Sequence, residues 1–79
     1  MKIKEDAVVE NEKNMRQFIE GKLKEEGFSR SHNMKDYFKA CRIVVSPTVQ
    51  KFAKKTEVSQ MAYRMEASMM IMDYIDPLA

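Results

Sequence analysis

Gln60 and Arg64 stand four residues apart, about one helical turn, with Ser59 beside them and Lys51, Lys54 and Lys55 just upstream. An arginine can grip the edge of a guanine through two hydrogen bonds, and a glutamine can do the same for adenine. Lysines contribute phosphate contacts, which position a protein on a polyanion without reading its sequence. A second basic group, Lys35, Lys39 and Arg42, falls on one stripe of a helix. Other chemistry has little to work with. His32 lies among Arg30, Ser31 and Asn33 in a polar connection. Cys41 sits in an apolar run nine residues further on, with no third residue to complete a catalytic set. There is no glycine-rich phosphate loop and no cluster with metal-ligand spacing. The expectation is therefore a non-enzyme with no catalytic residue, no metal and no cofactor.

The elements that must hold these residues read as helices. Seventy-nine residues make one domain, 1–79, and 44% hydrophobic content argues against disorder. Val8, Met15, Phe18, Ile19 and Leu23 form a helical stripe from a cap at Asp6 to about residue 26, with Gly27 placed as the C-terminal cap. Gly21 interrupts this helix and suggests a close helix crossing. Asn33 caps a second helix over about 34–45, carrying Met34, Tyr37, Phe38, Cys41, Val44 and Val45. The run Ile43, Val44, Val45 also fits a short strand, but no partner strand is visible. Ser46-Pro47 reads as the start of a third helix over about 47–55, and Ser59 as the cap of a fourth over about 60–75. The fold class expected is all-α, a small bundle of about four helices.

Charge is distributed unevenly along these elements. Residues 28–64 hold eight basic and two acidic side chains, whereas residues 65–79 hold three acidic and none basic. A basic middle suits a polyanionic partner, or simply solvates helix faces.

The segment 49–68 resembles the helix-turn-helix of DNA-binding regulators. Val49, Phe52, Ala53 and Thr56 share a face, Ala53 is small where helices would cross, and Val58-Ser59 opens the second helix ahead of Ala62. Glu57 stands where that family usually has glycine, and Glu66 where it has an apolar residue. The resemblance implies duplex DNA as partner, with Ser59, Gln60 and Arg64 toward bases and Lys51, Lys54, Lys55, Lys35, Lys39 and Arg42 toward phosphates. Phe52 to Ser59 is also similar to the helical tail of ImmA/IrrE-type phage-associated metallopeptidases. The His-Glu-x-x-His zinc motif of those enzymes has no counterpart, since His32 is the sole histidine.

The last helix is rich in methionine. Met61, Met65, Met69, Met70 and Met72, with Tyr74 and Ile75, surround its axis rather than forming one face. Either the helix is central to a bundle or a second chain covers part of it. Met65, Met69, Met70, Met72, Tyr74 and Ile75 are the expected partner or homodimer surface. Two functions follow as expectations: a small DNA-binding regulator of bacterial or phage type, or a phage-type inhibitor or adaptor acting on a target protein. No apolar stretch approaches the roughly 20 residues that cross a bilayer, and the N-terminus has no signal-like run, so the expected setting is the cytoplasm without a membrane.

Overall fold

Met15, Ile19 and Leu23 recur every four residues, and this stripe is the contribution of the first helix to the core. The computed structural model describes residues 2–30 and 32–78, with side chains from Asn11 onward, so the stripe position Val8 lies outside the described side chains. Three helices pack together: α1 (Lys2–Glu25), α2 (Met34–Phe52) and α3 (Glu57–Ile75). The protein is all-helical, with no strand among the described residues, and it has three helices where four were expected. The run Ile43 to Val45 is helical.

The expected helices over 34–45 and 47–55 are one. Pro47 lies inside α2 rather than at a start. A proline in a helix interior costs about 3 kcal/mol, because it removes one N–H and crowds the preceding turn. The burial on either side of it outweighs that cost. Val44, Val45, Thr48 and Val49 form a single buried stripe running through the proline, at roughly 1.5–3 kcal/mol per fully buried aliphatic side chain. The hydroxyl of Thr48 donates to the carbonyl of Val44 at 2.8 Å, so the one polar group in the stripe is satisfied.

The ends of the helices carry recognisable chemistry. Gly27 sits at φ 84°, with Phe28 N–H donating to Leu23 O at 2.9 Å and Gly27 N–H to Lys24 O at 3.1 Å. These two bonds are the Schellman pair that closes a helix at a left-handed residue. Asn33 caps α2, its side chain accepting from Lys35 N at 2.8 Å. α1 runs on through Asp6, so that residue is not its cap. Gly21 is exposed, and a Cβ built there meets nothing within 4 Å, so no close crossing explains it. Gly21→Ala is therefore expected to raise stability by about 1 kcal/mol. Urea denaturation of the two forms checks this, and an unchanged or lower midpoint contradicts it.

Candidate nucleic-acid interface

The hairpin of α2 and α3 builds the candidate site. Thr56, not Ser59, caps α3: it is extended at φ −121° and ψ 149°, and its hydroxyl oxygen accepts from Ser59 N at 3.1 Å. Ser59 is only 4% exposed. Its hydroxyl donates to Lys54 O at 2.6 Å and receives the Thr56 hydroxyl at 2.8 Å. Ser59 thus ties the inter-helix turn from inside, and the expectation that it touches DNA is corrected: it has no surface to offer.

From that turn the two helices run side by side. The side chains of Cys41 and Ser68 are close enough to interact, although each lies eleven residues into its helix from the turn (Phe52 to Cys41, Glu57 to Ser68). The arrangement here is that of an antiparallel helical hairpin.

A concavity of about 560 Å³ opens where the hairpin turns, lined by Ser46, Val49, Gln50, Ala53, Lys54, Lys55, Gln60 and Arg64. Four of these (Lys54, Lys55, Gln60 and Arg64) are residues whose types and spacing suggested nucleic-acid contact. Ser46 and Gln50 were not anticipated. The signal was available, since Lys35, Lys39, Arg42, Ser46 and Gln50 advance by four, three, four and four residues and form one polar edge of α2. That edge leads into the concavity. Lys35, Lys39, Arg42, Lys54, Lys55 and Arg64 are all exposed, and none forms an ion pair with a described carboxylate. The cations of the other face are engaged: Arg16 with Glu12 at 3.9 Å and Asp73 at 3.4 Å, Lys22 with Glu25 at 3.7 Å, Arg30 with Asp76 at 3.3 Å.

Lys51 belongs with the second group. Its ammonium lies 5.6 Å from the centre of the Phe18 ring of α1 and 5.7 Å from that of Phe52. The two rings meet edge to face, with centroids 5.7 Å apart. Lys51 therefore stands on the α1 side, and the structure does not bring it to the concavity.

The expected partner surface divides in two. Met70 and Ile75 are buried in the chain's own core, with Tyr63, Ala67 and Ile71, which corrects their assignment to an interface. Tyr74 and Met72 are half-buried, and Met65 and Met69 are open to solvent. Val58, which opens the second helix of the hairpin, is 55% exposed.

Cys41 and Tyr37 share one turn of α2, and their side chains interact. Burial pushes the Tyr37 hydroxyl up to about 12, and Cys41 adds to this by hydrogen bond and charge. Burial also raises the Cys41 thiol, against hydrogen bonds from Tyr37 and Ser68 that lower it. A thiol held protonated is a poor nucleophile. His32 Nδ1 lies 3.2 Å from the carbonyl of Asp76, remote in sequence from the hairpin turn. No group of three or more potential metal ligands occurs among the described residues.

The Tyr37 shift has a consequence for alkaline stability. The unfolded chain releases this proton near pH 10, and the folded one holds it to about 12. Between those values the unfolded state binds fewer protons, so stability falls as pH rises. The contribution is complete below pH 10. An ultraviolet titration is expected to show a phenol that ionises near pH 12 and is missing from Tyr37→Phe. A high-pH step unchanged by Tyr37→Phe, or no such step, would contradict the assignment.

Comparison with family models, with curated proteins and with solved structures finds no match for the chain.

Proposed function

We propose that the protein binds duplex DNA along the α2–α3 edge, as a small regulator that occupies a short site. The observation that carries this reading is the set of six exposed cations on that edge, none ion-paired with a described carboxylate. From Lys35 to Gln50 the edge of α2 runs for roughly 22 Å at 1.5 Å per residue, about the length of six base pairs. Lys35, Lys39 and Arg42 serve phosphates, as do Lys54 and Lys55 at the hairpin turn. Gln60 and Arg64, in the concavity, are the groups able to address base edges. Because the helices are antiparallel, the contact proposed is by the edge of the hairpin, without burying the whole of α3 in a groove. The setting proposed is the cytoplasm; no helix among the described residues is long and apolar enough to cross a membrane.

Fluorescence anisotropy with a short labelled duplex at increasing salt tests the reading. Five phosphate contacts give a slope of about −4.5 in log affinity against log salt, through counterion release. Absence of binding at about 50 mM salt would refute it.

A second reading, an inhibitor or adaptor that docks on a target protein, is favoured by one observation: Met61, Met65 and Met69 are each more than 60% exposed on the outer side of α3.

A further inference from the structure

The residues of α3 that face the core, Ser59, Tyr63, Ala67, Met70, Ile71 and Ile75, occupy one side of the helix. Directly opposite, Val58 (55% exposed), Met61 (64%), Met65 (64%) and Met69 (61%) face solvent, followed by half-buried Met72. These five advance by three, four, four and three residues and fall within an arc of about 80° at 100° per residue. No charged residue interrupts the arc. Its borders are Ala62 and Ser68, small enough to admit the backbone of another helix. α3 is thus apolar on two opposite sides, and its own chain covers one.

We propose that the open side is a self-association surface, on which a second copy of the chain packs its α3 antiparallel to the first. The spacing argues for this occupant. Val58 and Met72 lie seven residues on either side of Met65, and Met61 and Met69 lie four. A twofold axis through Met65 therefore sets apolar on apolar at every level: Met65 on Met65 of the partner subunit, Met61 on Met69 of the partner subunit, Val58 on Met72 of the partner subunit. The area agrees. Four side chains that are more than half exposed contribute roughly 100 Å² each, near the size of the largest apolar patch of an ordinary monomer. Phe38, 56% exposed, extends the patch from α2: it lies one turn from Cys41, whose side chain interacts with that of Ser68, and so is about level with Met72. Two copies together bury on the order of 1,000 Å², the lower limit for a specific interface and the size of a weak, reversible one. The inference does not rest on DNA binding, because the cationic edge lies outside the arc and stays open in the dimer.

Sedimentation equilibrium from about 1 µM to 1 mM tests it. The mass is expected to rise from 9.3 kDa to twice that value. Met65→Glu, an exposed substitution, is expected to weaken association at least tenfold with helicity unchanged by circular dichroism. A mass of 9.3 kDa at every concentration overturns the proposal and leaves the face to a different protein. Association unaffected by Met65→Glu overturns it as well. In a Cys41→Ser background, Met65→Cys is expected to form a disulfide-linked dimer under air, two thiols being oxidised as oxygen is reduced. Met61→Cys alone is expected not to, whereas Met61→Cys with Met69→Cys is. Equal cross-linking by Met61→Cys alone would refute the antiparallel packing.

Discussion

Tyr63→Ala is expected to remove about half of the protein's stability. The Tyr63 ring is 2% exposed and heads the fully buried side chains in size. Truncating a buried aromatic residue to alanine costs about 3–5 kcal/mol, part lost transfer energy and part the cavity left behind. A domain of this length has about 4–12 kcal/mol in total. There is a polar cost too: the Tyr63 hydroxyl accepts a hydrogen bond from Asn11 Nδ2 at 2.9 Å, linking α3 to α1. Tyr63→Phe separates the two effects and should cost only about 1 kcal/mol. Thermal and urea unfolding followed by circular dichroism provide the measurement. A Tyr63→Ala protein melting within about 5 °C of the parent would show that the three helices do not close on this ring.

The second large effect concerns the concavity at the hairpin turn. Replacing Lys54, Lys55 and Arg64 together by alanine is expected to lower duplex affinity by two to three orders of magnitude at about 0.1 M salt, and to flatten the salt slope by about 1.8 through the two lost phosphate contacts. The fold should be unaffected, because all three are exposed and none is paired with a described carboxylate. Replacing Lys51 is a contrasting control. Its ammonium is engaged with Phe18 and Phe52, so its loss should leave the salt slope nearly intact. Equal losses from Lys51→Ala and from the triple change would mean that affinity follows net charge and not this edge.

The parts of the fold legible in the sequence are those written in local pattern. The four-residue spacing of Met15, Ile19 and Leu23, the glycine at 27 and the asparagine at 33 each state a helix face or end without help from distant residues. Pro47 misled because its local meaning is a helix start, and only the buried residues on both sides of it, Val44 to Val49, make the uninterrupted helix the better solution. Thr56 and Ser59, three residues apart, both qualify as caps. The choice follows from which hydroxyl must satisfy the turn carbonyl of Lys54. In the last helix the ambiguity lay in composition: Met65 and Met70 are the same residue, and nothing in the side chain says which faces inward. Their positions relative to Tyr63 and Ile71 decide it. The basic edge was readable as a charge pattern, but the diversion of Lys51 depended on an aromatic ring more than thirty residues away in sequence, on α1.

Asp76 ends α3 in the left-handed conformation, at φ 59° and ψ 54°, without being glycine. Its carboxylate meets Arg30 at 3.3 Å, and its carbonyl lies 3.2 Å from His32 Nδ1. The segment between α1 and α2 is thereby latched to the far tip of the hairpin. With a covalent bend at one extremity and this polar latch at the other, the third helix is held at both ends, where a helix ordinarily begins to fray. The short linker around Arg30 therefore does more than connect two rods: its exposed ion pair adds up to about 1 kcal/mol against opening at that end.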